Sequence, residues 1–156
     1  MYGILDTPAY TAATIKCMRI LIARNEAVYG PISTDTSSVT GQLASAYLNQ
    51  SHWCTEPSAD GSVEGSVEDY EGAMRYALLA ADWARRAFHI KAVLYGRSHE
   101  VSYTAHLVLE MCMNRVEYLE RLREVALDEE IEKARQHAEW VTEGEGGGEG
   151  EGEGAR

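Results

Sequence analysis

Catalysis and metal binding need side chains that trade protons, electrons or coordinate bonds, and this chain offers few of them at useful spacing. His52-x-Cys54 is the tightest His/Cys pair, and His99 and His106 stand about two helical turns apart. A structural zinc site draws four ligands from short, fixed spacings. Neither pair has a second pair to complete such a set, so both read as ordinary loop and helix residues. Cys17 and Cys112 fall on apolar stripes and read as small core residues; a Cys–His nucleophile would have to be assembled by the fold from distant positions. Glu129-Glu130, and Asp128 with Glu132, pair carboxylates on a densely charged stretch, the pattern of a solvated helix face. No glycine-rich loop follows a strand to cradle a phosphate. The expectation is a protein with no catalytic residues, no metal, no cofactor and a non-enzymatic role.

The remaining chemistry is charge. The chain carries a formal charge of -11, acidic through residues 51–72, basic through 73–100 and acidic again beyond. Neutralising a nucleic-acid backbone takes clustered Lys and Arg, which argues against a nucleic-acid partner. Within the basic segment, Arg85, Arg86 and Lys91 lie one to two helical turns apart and are the candidate residues for gripping an acidic segment of a protein partner. Cys17, Cys54 and Cys112 are an odd number at wide spacing with no secretory leader ahead of them. That points to a reducing compartment, cytoplasmic or nuclear. No apolar run approaches the ~18 residues that span a bilayer, so a soluble protein without a membrane partner is expected.

The elements that must position these residues are helices. Ala, Leu, Arg and Glu outweigh β-branched clusters, which favours helix over strand. With 156 residues the chain has room for about one domain, assigned to residues 1–142. Thr7-Pro8 starts a first helix that runs from Ala9 to Tyr29, with Ile15, Met18, Leu21 or Ile22, and Val28 on one face, and stops at Gly30-Pro31. A second helix spans roughly Thr36 to Asn49 on Val39, Leu43, Ala44 and Tyr47. Residues 50–68 read as an acidic loop or insertion from which Trp53 packs back.

Ser66 and Asp69 form a capping box for a third helix, 69–95, whose stripe is Ala73, Tyr76, Ala77, Ala80, Ala84, Ala87, Ile90 and Leu94. Gly96 ends it, and Ser98 is placed to cap a fourth helix lined by Val101, Ala105, Val108 or Leu109, and Cys112. Past Asn114 a fifth helix is expected to about Val141, on Val116, Leu119, Leu122 and Ala126. Residues 143–156 alternate Glu and Gly and read as a disordered acidic tail. The fold expected is all-α, about five helices in antiparallel hairpins.

Two helices end in Tyr-Gly, at Tyr29-Gly30 and Tyr95-Gly96, and each is followed by a capped turn and a new helix. At Ala87, Ile90, Tyr95-Gly96, His99 and Val101 the sequence resembles the tetratricopeptide repeats of the kinesin-light-chain type. Tyr70 with Ala73 matches the aromatic-then-small start of such a repeat. Gly30 and Gly96 lie 66 residues apart, and removing an insertion of about twenty to twenty-four residues leaves something near the ~40-residue length of long helical repeats. The likeness covers roughly residues 15–115. It departs from the family's pattern in the extra length of the third helix, in Glu100 where a proline usually follows the turn histidine, and in the register before Gly30.

The resemblance implies a protein–protein interaction module or scaffold that holds a peptide or protein subunit through a helical-repeat surface. An array shorter than about three repeats is marginal alone, so docking on a partner or a second copy is expected. Two alternatives stand beside it: a structural subunit of a large assembly, and a detached carboxy-terminal helical region of a SET/MYND-type methyltransferase protein, whose catalytic motifs and zinc-binding cysteine clusters this chain lacks.

Overall fold

The computed structural model describes residues 8–55 and 65–145. Over these the chain is four α-helices and, among the described residues, no strand: α1 (Pro8–Tyr29), α2 (Thr34–Trp53), α3 (Val67–Tyr95) and α4 (Glu100–Glu145).

The five-helix expectation is corrected to four, because the break expected at Asn114 does not exist. Asn114 points to solvent within an uninterrupted helix. An exposed interior Asn costs less than about 1 kcal/mol relative to Ala, and no Gly or Pro lies between Arg97 and Glu143 to stop the helix. α4 is 46 residues long, ~69 Å at the helical rise. It also takes in Glu143–Glu145, the first residues assigned to the acidic tail. The rest of that tail and residues 56–64 of the acidic loop lie outside the described residues.

Each turn is built from the residues at its ends. Gly30 has φ 83° and Gly96 φ 88°, a left-handed conformation that glycine adopts without a Cβ penalty. In both, the backbone N–H donates to the carbonyl four residues back, Glu26 and Ala92, at 3.0 Å. After Gly30, the Ser33 side chain accepts from the Thr36 N–H at 3.1 Å, and the Thr36 hydroxyl donates back to the Gly30 carbonyl at 3.1 Å. The α3 capping box is present: Asp69 N–H donates to Ser66 Oγ at 3.2 Å, and Ser66 N–H to Asp69 Oδ2 at 3.0 Å. The cap of α4 differs from expectation. His99, rather than Ser98, holds the first turn, its Nδ1 accepting from the Val101 N–H at 3.2 Å.

The helices form a stack in chain order. α1 packs on α2, α2 on α3 and α3 on α4; α2 and α4 touch only narrowly, and α1 meets neither α3 nor α4 through its backbone. Ile22, Val39, Leu43, Ala44, Tyr47, Leu48, Ala80, Ala81, Ala84 and Cys112 are the buried members of one core cluster, and Tyr70, Ala73, Ala77, Val116 and Leu119 those of a second. Every alanine of the expected α3 stripe is buried, so α3 presents small side chains to α2 and α4 and both approach it closely. Ile22 rather than Leu21 faces the core. Val28, Leu94, Val101 and Cys17 are exposed, against expectation. Val28, Leu94 and Val101 lie next to a glycine turn, where the stack tapers, and Cys17 lies on the side of α1 away from α2.

Candidate functional site

The three cations expected to act together do not share a face. On one helix, positions 85, 86 and 91 differ by about 100° and 240° in azimuth, and the structure sends each to a different neighbour. Arg85 bonds Asp82 one turn back at 3.0 Å and reaches the Met113 sulfur of α4 at 4.0 Å. Arg86 pairs with Glu26 of α1 and lies over the Trp83 ring, 5.3 Å from its centroid. Lys91 lines a groove between α2, α3 and α4 with a volume of about 310 Å³, beside Ser38, Gly41, Gln42, Ser45 and Thr104. Arg86 is thereby a tie between α1 and α3, and Lys91 is the cation that faces an open space.

Among the described residues the histidines and cysteines do not gather into one group. His99 stacks on Tyr95 with ring centroids 5.2 Å apart and caps α4, while His106 packs against Phe88 at 5.4 Å and pairs with Glu110 at 3.2 Å. Their rings serve separate local contacts. Among the described residues no group of three His, Cys, Asp or Glu side chains could hold a metal ion. The cysteines stay apart as free thiols: Cys17 on the surface of α1, Cys54 at the end of α2, Cys112 buried. Burial pushes the Cys112 thiol up to about 11. The Cys54 thiol is also raised, first by burial and then by the Asp69 carboxylate. Because the thiolate is the nucleophile, neither is primed for attack at neutral pH.

A polar node that sequence reasoning did not single out joins α4 to the end of α2. Arg115 Nε donates to Ser51 Oγ at 3.2 Å, and its Nη2 donates to the Ser51 carbonyl at 3.1 Å and to Thr55 Oγ1 at 2.6 Å. The Tyr118 ring lies 5.8 Å from the guanidinium carbon. Carbonyls in the last turn of a helix lack intrahelical partners and carry its partial negative charge, so a guanidinium there satisfies both demands. His52, in the same turn, is held below its ordinary value, first by burial and then by the Arg115 charge. One signal was available: Arg115 stands three residues after Cys112 and four before Leu119, a cation on an otherwise apolar stripe.

Exposed apolar side chains stand on both end layers of the stack. On α1, Ile20 and Val28 are each 64% exposed, and on α4, Tyr103 is 58% and Met111 57% exposed. These are the outer sides of the two end layers of the stack. Beyond Asp128, α4 leaves the body: every residue from Asp128 to Gly144 is exposed, including Ile131, Trp140 and Val141.

No family model, no characterised protein and no solved structure matches this chain.

Proposed function

We propose that this chain is a non-enzymatic protein–protein interaction module, a short helical array of tetratricopeptide type that presents its outer helix faces to a protein partner. The observation that carries the reading is the exposure of apolar side chains on both end layers of the stack, Ile20 and Val28 of α1 and Tyr103 and Met111 of α4, each more than half exposed among the described residues. Soluble domains seldom leave contiguous apolar faces uncovered unless something docks there. The repeat character is supported by the two matching turns, since Gly30 and Gly96 adopt nearly the same φ and make the same backbone bond. Partner binding through Arg85 and Arg86 is not favoured by their engagement with Asp82 and Glu26; Lys91 keeps its place in the proposal at the rim of the α2–α4 groove.

The test is affinity capture with the tagged protein and two single variants, Ile20→Asp and Met111→Asp. Proteins retained by the wild type are expected to be lost from at least one variant. If both variants retain the same set, the end faces are not the binding surfaces and the reading is wrong.

The second reading, a structural subunit of a larger assembly, draws on one observation of its own. The last stretch of α4, residues 128–144, is exposed throughout, and only its base, at Glu129 and Lys133, borders the start of α3 at Gly65, Ser66 and Tyr70, which leaves a projecting arm. Removing residues 129–156 separates the readings: loss of co-migration with a large complex, with capture by the end faces intact, favours the subunit role.

A further inference from the structure

The two end faces of the stack, exposed among the described residues, differ in charge and in side-chain size. α1 contains three cations, Lys16, Arg19 and Arg24, all exposed, and none of them enters an ion pair with a described residue. Its one carboxylate, Glu26, is taken up by Arg86. The outward side of α1 is otherwise Ile20 flanked by Ala9, Ala13, Ala23 and Ala27, and the alanines are small enough to let another helix approach closely.

The outward side of α4 is larger and acidic. Tyr103, Leu107, Met111 and Tyr118 are exposed along it. Glu110, Glu117 and Glu124, seven residues apart and all exposed, run down one edge of that stripe, because seven residues nearly complete two turns; Glu110 is paired with His106, and exposed Arg121 stands among them, leaving the edge net acidic. A basic, alanine-lined face at one end of the molecule thus stands opposite an acidic face with large apolar knobs at the other.

The layering supplies a second constraint. Neighbouring helices in the stack alternate in direction: Gly41 near the start of α2 lies against Ala87 and Lys91 near the end of α3, and the start of α4 returns to the same groove. With four helices among the described residues, an even number, the α1 of a second copy continues this alternation without a break when it is laid on α4.

We propose that copies of this chain stack end to end, the outward face of α4 of one copy packing on the outward face of α1 of the next. The proposal rests on the reading of the end faces as interaction surfaces and names their occupant as the chain itself. The contact is heterologous, with a different surface on each side, so each added copy leaves a free face for another.

Sedimentation equilibrium of the full chain tests it. The wild-type mass rises with concentration as mass action requires, and association weakens as salt screens the charges. The triple reversal Lys16→Glu, Arg19→Glu, Arg24→Glu, and separately Glu110→Lys, Glu117→Lys, Glu124→Lys, each place like charges in contact. Each is expected to weaken self-association by about a hundredfold or more. An equimolar mixture of the two variants recovers association, since each then offers the face the other needs. Helicity by circular dichroism checks that both fold; where either triple variant loses helicity, Ile20→Asp or Met111→Asp takes its place and the same loss is expected.

A wild-type chain that is monomeric at every concentration overturns the proposal. So does an α1 reversal that leaves self-association intact, which would mean α4 pairs with α4, and so does a mixture of helical variants that fails to recover. A monomeric wild type that still captures a partner lost in Ile20→Asp sinks self-stacking and leaves the interaction reading standing.

Discussion

Arg115 and Ser51 sit 64 residues apart in the chain and are joined twice, side chain to hydroxyl at 3.2 Å and side chain to backbone carbonyl at 3.1 Å. This is the hydrogen-bonded link from α4 to α2, the pair of helices with the narrowest packing contact.

Replacing Arg115 with Ala therefore removes three hydrogen bonds and leaves the buried Ser51 hydroxyl and the end of α2 without their donor. The expected loss is about 1–3 kcal/mol, tempered by the half-exposed position of the guanidinium. Arg115→Lys should recover only part of it, since one ammonium cannot span the Ser51 hydroxyl, the Ser51 carbonyl and Thr55 as a planar fork does. Urea unfolding of the three proteins measures this; equal midpoints for wild type and Arg115→Ala would refute the clamp.

Two glycines should respond to alanine with opposite sign. Gly72 lies inside α3, and a Cβ there would meet nothing within 4 Å. Gly72→Ala should stabilise by about 0.5–1 kcal/mol through the lower entropy of the unfolded chain. Gly96 also has open space around it, but its φ of 88° is costly for any L side chain, so Gly96→Ala should destabilise by about 1–2 kcal/mol. Thermal unfolding that moves both variants the same way would contradict the backbone argument.

The cysteines should separate by reactivity. In the native protein iodoacetamide is expected to modify exposed Cys17 first, Cys54 more slowly, and Cys112 only after unfolding. The sign of the pH effect follows from the raised Cys112 value. Below pH 9 the thiol is protonated in both folded and unfolded chains; between 9.0 and about 11 the unfolded chain ionises while the folded one does not. Stability should fall through that window, and the fall should be smaller in Cys112→Val. Peptide mapping that finds native Cys112 modified as fast as Cys17 would show the core to be open.

The turns and the core stripe were legible in the sequence because each is set locally. Gly30 and Gly96 announce left-handed turns, Ser66 and Asp69 a capping box, and the alanines of α3 repeat at the helical period. The boundary at Asn114 was misread because propensity at one residue is weak beside a 46-residue run without Gly or Pro ahead of its last turn. The fates of Arg85, Arg86 and Lys91 were illegible for a different reason. Sequence spacing places residues around one helix, but which sides are covered depends on the neighbours, and α3 has a helix on two sides. Cys17 shows the same limit: its position on α1 fits an apolar stripe, and only the stacking order reveals that it is exposed.

The stacking order also bears on how the chain finds its fold. Since each helix rests chiefly on the one before it in sequence, most native contacts close short stretches of chain, and low contact order of this kind goes with folding on the microsecond-to-millisecond scale. α2, α3 and the body of α4 can assemble before α1 arrives. Hydrogen exchange should then find the amides of α1, covered on one side alone, opening well before those of α3.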